Sequence, residues 1–200
     1  MNKTCLFLRC QRDHNPGALA GRVEARHLSE LAGLDLHGYG AILVSMLTDQ
    51  ISLAEHSGQL EAFLDDGGTL VFNGHVAHPP INGLGQFVPQ QGRGIDSLTI
   101  HRLADHPVYD GVTAQDLTFR RGVAGFYARG HNPLPAGAQA LNGLGPDKVP
   151  VDWVWQRPGG GTVLMHCGLD LWAFAGDPTT ASRMAPQLLA WLYSDMQGNA

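Results

Sequence analysis

Three short apolar runs in the first half of the chain constrain its fold more than any other sequence feature. Each run is continuously apolar instead of alternating between apolar and polar residues, and such runs are typical of strands buried on both faces. A parallel sheet with helices on either side buries its strands in this way. The runs are residues 4–8 (TCLFL), 39–45 (YGAILVS) and 69–73 (TLVFN).

A helix is predicted between the second and third runs. Leu60, Phe63 and Leu64 fall at positions i, i+3 and i+4, which places them on one face of a helix. We predict this helix over residues 56–66, and the two glycines that follow end it. Residues 39–73 therefore form a predicted β-α-β crossover, which we expect to be right-handed.

The second half of the chain is richer in predicted strands, which turn-forming Gly and Pro residues separate. Apolar residues at helical spacing predict a C-terminal helix over residues 180–196. Residues 23–28 fit a strand or a short helix, and both stay open. The Pro/Gly-rich residues 79–94 are long for a structureless loop, which indicates a functional or mobile segment. The strand candidates are residues 97–103, 117–119, 123–127, 138–142, 151–156 and 162–166.

Composition favours one globular domain over residues 1–200 and excludes several classes of protein. The chain has 44% hydrophobic and 16% charged residues, and its 26 glycines show no collagen period. A formal net charge of −5 without a basic patch argues against a nucleic-acid partner. No apolar run reaches the roughly 18 residues that a membrane-spanning helix needs. Cys5, Cys10 and Cys167 lack disulfide or zinc spacing, so we expect a cytoplasmic protein.

Residues 65–77 (DDGGTLVFNGHVA) carry a family resemblance. A helix end, a buried strand and a small-residue turn follow one another there, and the turn presents His75. This resembles the nucleophile-elbow region of the class I glutamine amidotransferase-like superfamily, and most of all its ThuA-like (trehalose utilisation) branch. Three further stretches agree in order: residues 36–45 (LHGYGAILVS), residues 106–112 (HPVYDGV) and residues 153–169, which end in GGGTVLMHCGL. The resemblance implies a three-layer, flavodoxin-like α/β sandwich with a mostly parallel sheet.

The sequence departs from the family where the family places its chemistry. Amidotransferases have a cysteine at the elbow, paired with a histidine and a glutamate after the last strand. Here the elbow residue is His75, no cysteine lies between Cys10 and Cys167, and the ending reads His166-Cys167-Gly168. Glutamine hydrolysis through a thiolate is therefore not expected. Whether the chain is an enzyme stays open, and acid/base hydrolysis or isomerisation is the chemistry that would fit.

The candidate site follows from where ligands bind in open parallel sheets, which is beyond the carboxyl ends of the strands. Imidazole titrates near neutral pH, and a thiolate is a nucleophile, so histidines and a cysteine at these ends are candidate catalytic groups. The candidate catalytic residues are His75, His166 and Cys167. The candidate substrate-binding residues are Asn73, Cys10, Gln11, Met46, Thr48 and Arg121.

Each candidate also has a structural interpretation. His75 and His166 would serve equally well as hydrogen-bonded residues that fix turns, and Cys167 as a small buried apolar residue. Neighbouring residues of a strand point to opposite faces, so His166 and Cys167 are not expected to form one dyad. Arg121, with its neighbour Arg120, fits either a clamp for an anion or an exposed strand edge. A histidine-rich metal site lacks zinc spacing, so we predict no metal and no cofactor.

Two functions from different classes remain. The first is a small-molecule site at the strand ends, centred on His75 and His166, for a carbohydrate or a related metabolite. The second is a non-catalytic scaffold or assembly protein that keeps only the fold. A low charged fraction and several aromatic residues suit a homo-oligomer interface in the second case.

Overall fold

A sheet of eight strands forms the centre of the protein in the computed structural model, which describes residues 3–11 and 15–198. Its strands are short and mostly buried, as continuous apolar runs require. The strands of the described residues are β1 (Thr4–Arg9), β2 (Glu24–His27), β3 (Tyr39–Val44), β4 (Thr69–Asn73), β5 (Val88–Pro89), β6 (Ile100–Arg102), β7 (Phe119–Arg120), β8 (Val123–Ala124), β9 (Gly130–His131), β10 (Gln139–Leu144), β11 (Val149–Gln156) and β12 (Thr162–His166).

The strand order in this sheet is β2-β1-β3-β4-β12-β11-β10-β6. The first five strands of that order pair in parallel, and each of the last three is antiparallel to the strand before it. The predicted mostly parallel sheet is therefore confirmed. Two small antiparallel pairs, β5 with β9 and β7 with β8, lie outside the main sheet.

Helices cover both faces of the sheet and give three layers. Helix α2 packs on one face over an apolar core that includes Leu60, Phe63 and Trp153. Helix α4 packs on the other face, over a core that includes Leu164 and Leu188. The α-helices of the described residues are α1 (Gln50–Ala54), α2 (Ser57–Asp65), α3 (Ala114–Thr118) and α4 (Met184–Gly198). None of the helices described has the length and apolar character needed to cross a membrane.

The end of α2 shows why the predicted β-α-β crossover forms. Gly67 has a φ of +87°, and its N–H donates to the Leu64 carbonyl, while Gly68 N–H donates to the Phe63 carbonyl at 3.0 Å. This is the Schellman arrangement, in which a left-handed glycine satisfies the last carbonyl groups of a helix. The chain then enters β4 directly, so a two-glycine sequence sets both the helix end and the strand start.

Of the two structures open for residues 23–28, the strand forms, as β2, and a 3-10 helix over Leu28–Gly33 follows it. Other sequence predictions differ from the structure in their details. Leu117 and Thr118 belong to the end of α3 and not to a strand, because Thr113 caps a short helix by accepting the Asp116 N–H, and Phe119 begins β7. The strand expected over residues 123–127 stops at Ala124. The C-terminal α-helix begins at Met184, after a 3-10 turn over Thr180–Arg183.

Candidate functional site

A row of polar residues crosses the sheet at its carboxyl-terminal rim. The strand register places Asn73 beside His166, His166 beside Asp152, Asp152 beside Asn142, and Asn142 beside Arg102. Directly paired residues of neighbouring strands point to the same face, so the five polar side chains lie in one row across five strands. The first four of these side chains are buried.

The centre of the row is a buried ion-pair-like contact between His166 and Asp152. His166 Nδ1 lies 2.5 Å from Asp152 Oδ1, and neither side chain has exposed surface. With Nδ1 donating its proton to the carboxylate, a neutral imidazole carries its lone pair on Nε2. A carboxylate that orients a histidine in this way prepares the other ring nitrogen to accept a proton or a ligand atom.

His166 Nε2 is buried and has no hydrogen-bond partner among the described residues. An unpaired polar atom inside a protein is rare and costly, so its retention indicates a role. Gly168 lies next to this atom: a Cβ built on Gly168 would be 3.0 Å from Nε2 and 1.7 Å from the Tyr127 carbonyl oxygen. Because Gly168 has no side chain, its backbone can lie close to both His166 Nε2 and the Tyr127 carbonyl oxygen.

Tyr127 and Asn142 hold the other oxygen of Asp152. The Tyr127 hydroxyl donates to Asp152 Oδ2 at 2.5 Å, and Asn142 Nδ2 donates to the same oxygen at 2.5 Å. Burial, and then the negative charge of Asp152, raise the pKa of the Tyr127 phenol well above its usual value, so it remains a donor. The Tyr127 ring also lies 4.6 Å from the His166 ring, centre to centre. These contacts fix the carboxylate in one orientation toward His166.

Two loop segments, residues 86–90 and 125–132, lie over the rim, and we call them the cover. They pair with each other through β5 and β9. Asn132 ties the cover to the turn after β4, because its Nδ2 donates to the Gly74 carbonyl at 2.8 Å and its Oδ1 accepts the Val76 N–H at 2.9 Å. Residues 79–94, expected to be functional or mobile, thus contribute β5 to the cover.

His75 lies at the outer edge of the rim and is exposed. Its ring stacks on Phe87 of the cover with 3.6 Å between ring centres. Partial burial lowers the pKa of His75, and the positive charge of a protonated His166 lowers it further. In the turn itself the positive φ of +98° belongs to Gly74 and not to His75. His75 is therefore a surface group near the rim and not a strained elbow residue.

Both polar atoms of the Asn73 side-chain amide form hydrogen bonds within the protein. Its Nδ2 donates to the Val44 carbonyl at 3.0 Å, and its Oδ1 accepts the Leu171 N–H at 3.1 Å. Met46 is partly exposed, and its backbone approaches Gly74 closely. The Thr48 hydroxyl is buried without a hydrogen-bond partner in the described chain, so it is a second unpaired polar atom of the rim.

Gln11 and Arg121, two more predicted ligand residues, lie on the surface. Gln11 follows β1 and is exposed. Arg121 has 73% of its side chain exposed and faces Asp177 at 3.4 Å, while Arg120 binds Asp177 at 2.6 Å. The two arginines thus share one carboxylate of their own chain, which explains their pairing without a bound anion.

Cys167 contacts the cover. Its Sγ donates to the Gly130 carbonyl at 3.0 Å, and burial raises the pKa of the thiol well above its usual value. Burial also raises the pKa of Cys5, to about 11. Cys10 is only partly buried, and its Sγ accepts the Asp49 N–H at 3.1 Å. His166 and Cys167 therefore have different hydrogen-bond partners.

Thiol chemistry gives a direct prediction for the native protein. We expect a disulfide reagent to react with Cys10 alone at neutral pH, because Cys5 and Cys167 are fully buried as thiols. All three thiols should react in urea. Mass spectrometry of tryptic peptides after brief labelling identifies the residue, and the variant Cys10→Ser serves as the control. Rapid modification of Cys167 in the folded protein would show that its thiolate is accessible after all.

A separate groove of about 900 Å³ lies between α4 and the segment that follows β6. Its wall includes Arg102, His106, Gln187 and Trp191. The His106 and Trp191 rings meet edge to face with their centres 4.9 Å apart. Arg102 also belongs to the polar row, because its Nη1 donates to Asn142 Oδ1 at 2.6 Å. The groove thus touches the row at the end opposite to Asn73.

The groove histidine makes the stability of the protein depend on pH. Burial, with a smaller effect of Arg102, lowers the pKa of His106 from 6.5 to about 4 against the opposing charge of Asp152. Between these pH values the unfolded chain binds a proton that the folded chain does not, so the free energy of unfolding should rise with pH. We expect His106→Gln to make this rise shallower in urea titrations at successive pH values.

The control for this experiment is an exposed histidine with the opposite shift. A hydrogen bond to Asp35 raises the pKa of His37, so His37→Gln should not make the rise shallower. An equal slope in wild type and in His106→Gln would contradict the account of His106.

The described residues contain no cluster of three or more His, Cys, Asp or Glu side chains arranged to hold a metal ion. A histidine-rich metal site would draw on His75, His78, His166 and Asp170. The carboxylate of Asp170 is engaged with the turn after β3, where its two oxygens accept from Ser45 Oγ and the Met46 N–H, both at 2.7 Å. The carboxylate thereby ties the loop after β12 to the end of β3.

Sequence reasoning did not single out Asp152, Asn142, Arg102 or Tyr127. One signal was available, because Asp152 is the only charged residue in the otherwise apolar stretch VDWVW. A carboxylate in a strand that is buried on both faces needs a partner, and His166 at the end of another strand was a candidate.

Comparisons with known proteins identify similar folds but no family to which the chain belongs. No protein-family model matches the chain, and no curated protein matches it. Solved structures do match. STM3548, a cytoplasmic protein from Salmonella typhimurium, has a TM-score of 0.57 and 12% identity, over 94% of this chain and 98% of that chain. STM1381, a cytoplasmic protein from the same species, has a TM-score of 0.53 and 11% identity, over 96% and 98%.

A protein from Bacteroides uniformis that is described as ThuA-like has a TM-score of 0.50 and 14% identity, over 95% of this chain and 90% of that chain. The matches extend over nearly the full length on both sides. This chain therefore shares its α/β sandwich fold with these proteins, and at such low identity the likeness concerns the fold alone.

Proposed function

We propose that this chain is a ThuA-like, amidotransferase-like protein without the elbow cysteine, and that it binds a small molecule at the carboxyl ends of the strands. His166, oriented by Asp152, would serve as the acid/base group or as the acceptor for a ligand hydroxyl. One observation carries the proposal: His166 Nε2 is buried and has no hydrogen-bond partner in the part of the chain that the structure describes, while Nδ1 is held by a carboxylate at 2.5 Å.

The polar row explains what this site can do chemically. Asp152 accepts from His166, Tyr127 and Asn142, so it can stabilise a positive charge on the imidazole when Nε2 takes up a proton. A hydroxyl group of a ligand at Nε2 could give its proton to the ring and receive one back. Hydroxyl-rich compounds such as sugars and sugar acids are thus the class to test first, and hydrolysis or isomerisation the reaction type.

Access to Nε2 requires movement of the cover. His166 is fully buried below residues 86–90 and 125–132. The cover is held by a short two-strand pairing, by Asn132, by the Cys167 contact with Gly130 and by the Tyr127 hydroxyl on Asp152. Opening the site therefore has to break these contacts in a local unfolding step, and the half-exposed Phe126 marks the outer side of the cover. His75, stacked on Phe87 of the cover, is placed to contact a ligand that enters.

The alternative is a scaffold that keeps the fold for assembly or binding of another protein, in the cytoplasm and without nucleic acid. Met46, Leu47 and Ile51 support it, because these apolar side chains are 37%, 62% and 60% exposed at neighbouring positions. In that case His166 and Asp152 would be a structural pair, and no small molecule would bind them.

A thermal-shift screen separates the two proposals. A native-state ligand at a hundred times its Kd adds about 2.7 kcal/mol of stability. We expect at least one sugar or sugar acid to raise the Tm of the wild type by several degrees and to lose that effect in His166→Gln. The glutamine amide can donate to Asp152, but it has no basic ring nitrogen in the place of the imidazole Nε2. His101→Gln, on β6 and outside the row, is the matched control.

The outcomes are distinct. If His101→Gln keeps the shift and His166→Gln loses it, the site is the one proposed. If no compound raises the Tm of any variant, the scaffold function is favoured, and a persistent shift in His166→Gln would place the ligand elsewhere.

A further inference from the structure

The groove between α4 and the segment after β6 carries a second inference, because its polar groups are arranged by charge. Its volume of about 900 Å³ lies within the size range of small-ligand sites. The site proposed at His166 does not involve the groove residues beyond Arg102. Donors lie at the half-buried base of the groove, acceptors lie at its exposed edge, and an indole forms one side.

The first donor at the base is the Arg102 guanidinium. Nη1 donates to Asn142 Oδ1 at 2.6 Å, Nη2 donates to the Val112 carbonyl at 2.9 Å, and the group lies over the Tyr109 ring at 4.7 Å. These contacts fix the guanidinium before any ligand arrives. No carboxylate of the described chain forms an ion pair with it, so its positive charge is available to an anionic group.

The second donor is the His106 ring. Its Nδ1 accepts the Val108 N–H at 3.3 Å. The neutral ring therefore carries its proton on Nε2 and offers it as a donor. The lowered pKa of His106 keeps the ring neutral at physiological pH.

The acceptors are two aspartates and one amide. Asp105 and Asp110 line the groove, are exposed, and have no ion-pair partner among the described residues. Gln187 donates from Nε2 to the Asp110 carbonyl at 2.8 Å, while its Oε1 is buried without a partner in the same described chain. A second guanidinium, that of Arg183, lies beside Gly111 at the end of the groove.

The balance of charges limits what can bind. A purely anionic ligand on Arg102 would meet the carboxylates of Asp105 and Asp110, and a purely cationic ligand on the carboxylates would meet the guanidinium. A ligand with one charge of each sign satisfies both sets. The indole of Trp191, held edge to face by His106, provides a flat apolar surface for the rest of the molecule.

We propose that this groove binds a zwitterionic α-amino acid with an aromatic or large apolar side chain. Its carboxylate would bind Arg102 and the His106 Nε2–H, its ammonium group would bind the carboxylates of Asp105 and Asp110, and its side chain would lie against Trp191. Among the groove residues, Arg102 is shared with the polar row, and the ligand class differs from that proposed for His166.

Calorimetric titration with three matched probes tests the proposal: phenylalanine, 3-phenylpropionate, which lacks the ammonium group, and phenethylamine, which lacks the carboxylate. A hydrogen bond to a charged group contributes about 1.5–3 kcal/mol, which is roughly tenfold or more in Kd. We expect phenylalanine to bind at least tenfold more tightly than either analogue. Equal or tighter binding of one analogue, or no binding of any probe, would overturn the proposal.

Variants assign the binding to the groove. The double variant Asp105→Asn/Asp110→Asn should weaken phenylalanine about tenfold and leave 3-phenylpropionate unchanged or stronger. Both residues are exposed, so the fold should survive the changes, and an unchanged Tm checks this. Asp147→Asn, an exposed carboxylate at the β10–β11 turn, is the control. Wild-type affinity in the double variant would refute the site.

His166→Gln keeps this test independent of the proposed function. We expect it to bind phenylalanine as the wild type does, whatever the sugar screen shows. If His166→Gln abolished phenylalanine binding, the amino acid would occupy the rim site and the groove proposal would be wrong.

Discussion

Replacing Asp152 with alanine should lower the free energy of unfolding by at least about 3 kcal/mol, because each buried donor left without its acceptor costs about 1–3 kcal/mol. The change leaves three buried donors without their acceptor: His166 Nδ1, the Tyr127 hydroxyl and Asn142 Nδ2. Typical domains have only about 5–15 kcal/mol in total, so this single contact network is a large part of the stability. Urea denaturation followed by circular dichroism measures the loss.

Two controls make the result specific. Asp147→Ala removes an exposed carboxylate and should change stability by less than about 0.5 kcal/mol. Tyr127→Phe removes one donor and its hydrogen bond while Asp152 keeps the other two, so a smaller loss of about 1 kcal/mol is expected. If Asp152→Ala were no more destabilising than Tyr127→Phe, the carboxylate would not be the centre of the network.

Gly168→Ala should be the second large effect, with a loss of about 3 kcal/mol, the upper end of the usual cost of overpacking, for a single methyl group. The added Cβ would lie 1.7 Å from the Tyr127 carbonyl oxygen, which belongs to the backbone of the cover. Backbone atoms cannot move aside as a flexible side chain can, so the cover or the end of β12 must shift. The methyl group would also stand 3.0 Å from His166 Nε2 and reduce the space beside it.

Gly176→Ala is the matched control for this change. A Cβ at Gly176 meets no atom within 4 Å, so the substitution should stay within about 0.5 kcal/mol of the wild type. Equal stability of the two alanine variants in urea would show that Gly168 has room for a side chain and that the close contact with the cover is not formed.

The sequence predicted the parts of the fold that depend on local patterns. Strands β4 and β12 have the bounds that their apolar runs predicted, Thr69–Asn73 and Thr162–His166. The helix between β3 and β4 ends at its two glycines because left-handed backbone there needs no side chain. Placement of His166 at a strand end follows from the same reasoning, since the apolar run stops at that residue.

The partners of His166 could not be predicted because they depend on sheet register. Asp152 faces His166 only through antiparallel pairing of β11 with β12, and Asn142 faces Asp152 only through an irregular pairing of β10 with β11. A shift of one residue in either strand would turn these side chains to the other face. The contact of Arg121 with Asp177 could not be predicted either, because the two residues are distant in sequence and no local pattern connects them.

The state of the His166 ring tests the central claim most directly. Long-range proton–nitrogen correlation spectra at neutral pH report which ring nitrogen carries the proton. We expect Nδ1 to carry the proton and Nε2 to carry none, and we expect the sugar or sugar acid that raises the Tm of the wild type to move the Nε2 resonance as well. A proton on Nε2 in the free protein, or an Nε2 resonance that stays fixed when such a compound binds, would contradict the claim.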